Sequence, residues 1–64
     1  MKLIINGEPL EQPVANLAVL LELVEAPSHS AVAVNETFVP KTLYRETCLN
    51  EGDRIEILSP MQGG

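Results

Sequence analysis

The sequence predicts an α+β fold of two layers, a β-sheet with one helix laid across it. Three observations predict it. Short apolar segments with alternating character recur between turn signals along most of the 64 residues. One stretch, Leu17 to Val24, instead carries its apolar residues at helical spacing. Asn6-Gly7, between the first two short segments, is the strongest two-residue hairpin signal, because both central positions of a type I′ turn need positive φ.

Lys2-Leu3-Ile4-Ile5 reads as a short strand, and Glu8 to Gln12 returns antiparallel to it. Pro9 and Pro13 mark that second strand as an edge, where a missing N–H can face solvent. With Leu3 and Ile5 toward the core, Ile4 points to the opposite side of the sheet. Asn16 is a plausible N-cap for the helix, whose Leu17, Leu20, Leu21 and Val24 fall on one face. Pro27 ends it. At about ten residues, this helix needs a sheet to lie on.

Ala31-Val32-Ala33-Val34 is a third strand, with valines alternating against alanines. Asn35-Glu36 turns it into Thr37-Phe38-Val39, and Pro40 stops that one. Lys41 to Cys48 is irregular, with a helical turn near Thr42–Arg45. Asn50 to Asp53 is a turn that launches Arg54–Leu58, with Ile55 and Ile57 on the core side and Arg54, Glu56 and Leu58 on the other. The order is given as β-β-α-β-β. The strand after the helix and the last strand are both expected beside the first, giving a mixed sheet.

A chain this short forms one small domain and buries only about 60% of its unfolded surface. One Tyr, one Phe and no Trp leave the core aliphatic. There is no room for a lid, a second domain and a deep pocket, so a free-standing enzyme is not expected. Nine acidic residues against Lys2, Lys41, Arg45 and Arg54 give a net charge of −5. These cations do not cluster, which argues against nucleic acid and an anionic membrane as partners. A partner with a basic docking surface fits better, unless the charge serves solubility alone. Cys48 is the only cysteine, which excludes an intramolecular disulfide. The turn at Asn6-Gly7 comes too early for a signal peptide, and no apolar run approaches a membrane span. A cytoplasmic protein, monomeric when free, is expected.

Ser59-Pro60-Met61-Gln62-Gly63-Gly64 follows the last strand. Pro60 cannot donate to a ladder, and Gly63 and Gly64 have little reason to hold one shape. Residues 1–58 are expected to form the domain and 59–64 a flexible C-terminal tail. The tail carries the Gly64 α-carboxylate, ionised at neutral pH and able to take an adenylyl group from ATP. Gly-Gly also lets a tail thread a narrow channel.

Little else carries chemistry. His29, the only histidine, reads as a loop residue, since no cluster at ligand spacing accompanies it and no metal site is expected. Cys48 reads as a small apolar filler rather than a nucleophile. Glu51-Gly52-Asp53-Arg54 reads as turn chemistry first and an ion pair second. Glu8, Glu11, Glu22, Glu25 and Glu36 read as solvated. Ile4, Phe38 and Leu58 fall on the sheet face away from the helix and form a candidate partner-docking patch.

Asn6-Gly7-Glu8 after a first strand, Val39-Pro40-Lys41 and Tyr44 in the middle, Glu51 through Ile57, and the ending Gly63-Gly64 together resemble the ThiS family. These are the small sulfur carriers of thiamine thiazole biosynthesis, with the ubiquitin-like β-grasp fold. The resemblance covers essentially the whole chain. The chain departs from it in two places. Asn35-Glu36-Thr37 stands where many relatives read Asn-Gly-Glu, so a different turn is expected there. The chain also ends in two glycines where many relatives have three.

The resemblance implies that a ThiF-like adenylyltransferase uses ATP and Mg²⁺ to adenylate Gly64, the carrier itself binding no cofactor. A persulfide donor protein then displaces AMP, and the Gly64 thiocarboxylate delivers sulfur to a ThiG-like thiazole synthase. Met61, Gln62 and Gly63 thread the partners' active sites. Other classes with a similar tail are the small subunit of molybdopterin synthase, which is usually longer, and ubiquitin-like protein modifiers. A plain β-grasp interaction module with an inert tail is a third.

Overall fold

The Asn6-Gly7 turn forms as expected. In the computed structural model, which describes residues 1–59, Asn6 sits at φ 50° and Gly7 at φ 85°. This left-handed pair joins β1 (Lys2–Ile5) to β2 (Glu8–Glu11), with Ile5 opposite Glu8 and Lys2 opposite Glu11. β2 lies at the sheet edge, the place that Pro9 tolerates. Glu11, expected to be only solvated, also pairs with the Met1 amine at 3.3 Å.

Asn16 is extended, and its side-chain oxygen accepts the Val19 N–H at 3.0 Å, capping α1 (Leu17–Leu23). Leu17 and Leu20 are fully buried, and Leu21 and Val24 pack against the core margin. The helix stops before Pro27 is reached. Glu25 turns left-handed at φ 58°, and the Ala26 N–H donates to the Leu21 carbonyl at 3.0 Å, a Schellman ending.

β3 (Ala31–Val34) and β4 (Thr37–Val39) form a second hairpin. A 3₁₀ helix then covers Lys41–Glu46, longer than the single turn expected, and β5 (Arg54–Leu58) closes the sheet. The order is therefore β-β-α-β-β-β: all five segments read as strands form, one more than the order β-β-α-β-β counts. The sheet runs β2-β1-β5-β3-β4, with β5 parallel to β1 and antiparallel to β3. The expectation that β3 lies beside β1 is wrong. β2 and β5 occupy both edges of β1, and β3 pairs on the far side of β5.

The second hairpin corrects another expectation. Asn35 and Glu36 adopt φ 50° and 70°, the same left-handed pair as Asn6-Gly7 rather than a different turn. Val34 pairs with Thr37, so only two residues connect the strands, and the twist of the sheet demands the primed turn whatever the residue. Glutamate is held in a conformation that suits glycine.

The core comprises Leu3, Val14, Leu17, Leu20, Val32, Val39, Leu49 and Ile55, all aliphatic. Burial of each such side chain is worth roughly 1.5–3 kcal/mol. Cys48 is not part of it. Asn16 and Cys48 form an isolated bridge, and the alternation of extended backbone turns Leu49 inward and leaves Cys48 exposed. The filler role belongs to Leu49. One helix held across a mixed five-stranded sheet is the β-grasp arrangement.

Candidate functional site

β5 runs through the middle of the sheet and leads directly to the C-terminal residues. Ile55 is fully buried and Ile57 packs on the core, while Arg54, Glu56 and Leu58 face away from the helix. Leu58 is 71% exposed. Across the sheet, Glu56 pairs with Ala33, and Ala33 with Phe38, which is 64% exposed. Ala31 pairs with Leu58. The two alanines are too small to fill the space between their neighbours. Phe38 and Leu58 therefore stand over a shallow hollow floored by Ala31 and Ala33 and bordered by Glu56.

Ile4 shares this sheet face but not this hollow. It pairs with Arg54 and lines a separate depression with Gly7 and Glu56. Leu58 lies four residues beyond Arg54, about 13 Å along the strand. Phe38 and Leu58 are brought together, and Ile4 is set apart from them, half-buried. Gly64, Gly63, Gln62 and Met61 lie outside the described residues.

Two asparagines grip β5 from opposite sides. The Asn6 side chain accepts the Ile57 N–H at 2.8 Å and donates to the Ile57 carbonyl at 3.1 Å. The Asn35 side chain accepts the Arg54 N–H at 3.0 Å and donates to Asp53 at 3.1 Å. Asp53 also accepts the Asn50 N–H at 2.9 Å, so Glu51-Gly52-Asp53-Arg54 serves as turn chemistry. Among the described residues no ion pair involves Arg54. These asparagine grips were missed in the sequence. Their only signal there is an Asn opening each two-residue turn.

His29 is exposed on a turn whose Ser30 hydroxyl donates to the Pro27 carbonyl at 2.8 Å. Among the described residues no group of His, Cys, Asp or Glu is arranged to hold a metal ion. No described helix is long and apolar enough to cross a membrane.

A model of the ThiS family matches residues 3–64. The chain belongs to the ThiS family. Its members are the small sulfur carriers of thiamine biosynthesis, which are not themselves enzymes. The crystal structure of the thiamine biosynthesis protein ThiS from Geobacter metallireducens matches this fold with a TM-score of 0.83. The two are 28% identical, and the match covers all of both chains, which makes the fold ubiquitin-like β-grasp. The uncharacterized protein ycf40 of Pyropia yezoensis is 36% identical over 63 residues, covering 94% of this chain and 87% of that protein. A thiazole synthase of Paramagnetospirillum magneticum is 38% identical over 66 residues, covering all of this chain. The chain spans only 20% of that protein's length.

Proposed function

We propose that this ThiS-family chain carries sulfur on Gly64 as a thiocarboxylate and donates it for thiazole formation. The observation that carries the reading is the reach of the family match through residue 64, which includes Gly63-Gly64. A Gly64 carboxylate oxygen attacks the α-phosphorus of ATP, and pyrophosphate leaves, giving the acyl adenylate. The terminal sulfur of a donor persulfide attacks the acyl carbon, and AMP departs. The resulting acyl disulfide is reduced by a thiol, which forms a disulfide with the donor and releases the Gly64 thiocarboxylate. ATP and Mg²⁺ belong to the adenylyltransferase, a ThiF-like enzyme, and not to the carrier.

Recognition falls to the face described above. Phe38 and Leu58 supply an apolar anchor, and Ala31 and Ala33 leave room for a partner side chain. Ile4 lies at the margin of this docking surface. Residues 59–64 span at most about 20 Å when extended, enough to pass from a docked surface into a partner's active site. Met61, Gln62 and Gly63 would thread that passage. A ThiG-like thiazole synthase is the recipient we favour. That a thiazole synthase chain carries a stretch similar to this whole protein supports the choice.

ATP–pyrophosphate exchange with the adenylyltransferase tests the reading. The full chain is expected to support exchange, and a chain lacking Gly64 is expected to fold and support none. Exchange that survives the deletion would refute the role of Gly64. Isopeptide-linked conjugates in cell extract would favour a protein modifier instead.

A further inference from the structure

The parallel pairing of β1 and β5 ends before β5 does. Ile5 is the last β1 residue in register, opposite Ile55, and the Asn6 N–H donates to the Ile55 carbonyl at 2.9 Å. The chain then turns away at Asn6, whose φ is 50°. Ile57 faces β1 as Ile55 does, because alternate residues of a strand point their backbone groups to the same side. No β1 backbone remains to meet it. The Asn6 side chain takes that place, accepting the N–H at 2.8 Å and donating to the carbonyl at 3.1 Å. A primary amide carries its donor and its acceptor on two separate atoms, so one side chain can meet both backbone groups at once.

We infer that Asn6 is a positioning residue for the carrier's reaction: by holding both backbone groups of Ile57, it fixes the point beside the Phe38–Leu58 hollow from which the chain departs toward Gly64. This rests on the sulfur-carrier reading above. The departure point matters because the anchor and the carboxylate are joined by one short segment. If the end of β5 frays, a docked carrier presents Gly64 in the reacting position for a smaller share of the time. The loss then falls on turnover rather than on docking.

Asn35 provides an internal control. It grips Arg54 at the opposite end of the same strand, also from φ 50°. Glycine at either position keeps the left-handed backbone accessible, removes the side-chain bonds and adds the same freedom to the unfolded chain at both sites. Asn6→Gly and Asn35→Gly are therefore expected to lower the urea midpoint to a similar degree. Only Asn6→Gly should expose the Ile57 amide to hydrogen exchange at folded conditions.

The deciding experiment measures pyrophosphate exchange for both variants at a temperature where circular dichroism shows them folded. Asn6→Gly is expected to lower kcat by up to about tenfold, the worth of two net hydrogen bonds of modest strength, with KM little changed. Asn35→Gly should leave kcat at the parent value. Asn6→Asp keeps the acceptor for the Ile57 N–H, should fall between, and serves if the glycine variant does not fold. Parent kinetics in Asn6→Gly, or an equal loss in Asn35→Gly, would overturn the inference alone. Absence of exchange with the unaltered chain would overturn the carrier reading, and the inference with it.

Discussion

Glu36→Gly is expected to stabilise the protein. Glu36 occupies φ 70° at the second position of the β3–β4 turn, and its side chain makes no hydrogen bond or ion pair among the described residues. A left-handed L-residue costs roughly 1–2 kcal/mol. Glycine removes that cost but gives the unfolded chain more freedom, which returns about 0.4–1 kcal/mol. The net gain is about 0.5–1 kcal/mol, a rise of roughly 2–8 °C in Tm for a domain of this size. Gly7 supplies the opposite perturbation. It sits at φ 85° with open space where a Cβ would project, so Gly7→Ala carries the backbone cost and no clash. It should destabilise by a similar amount. Urea unfolding of both variants, with m unchanged from the parent, measures the two shifts. A Glu36→Gly protein no more stable than the parent, together with a Gly7→Ala protein no less stable, would refute the account of the turns.

Asn16→Ala removes the cap on Val19 and should cost about 1 kcal/mol, read as a lower urea midpoint with the fold intact. Leu20→Ala empties a fully buried core position and should cost roughly 2–5 kcal/mol, enough to unfold much of so small a domain by circular dichroism. Phe38→Ala should change stability by less than about 0.5 kcal/mol, because the ring is mostly exposed. In pyrophosphate exchange it should raise KM by about tenfold or more, the behaviour of an interface anchor. An unchanged KM would remove Phe38 from the docking surface.

Local chemistry was the readable part of this fold. Asn6-Gly7 declares its turn through the conformations its two residues tolerate, and Leu17 and Leu20 declare a buried helix face by spacing. Leu58 and Phe38 could be set on the outer face by strand alternation alone. What stayed hidden depends on partners distant in the chain. Asn6 meets Ile57 across 51 residues, and no local pattern marks a side chain that completes a sheet. The same distance concealed that β3 pairs with β5 and not with β1. Glu36 misled for a different reason. Its own preference argues against a left-handed turn, and the register of the paired strands overrides it. Val14 and Leu49, both core residues, lie in irregular segments where no period identifies an inward side.

Sulfur on Gly64 is read from the intact mass of the chain, co-expressed with its adenylyltransferase and a sulfur donor. The expected increment equals one oxygen replaced by sulfur, mapped by fragmentation to Gly64. An unchanged mass in the presence of ATP, Mg²⁺ and a competent persulfide donor would contradict it.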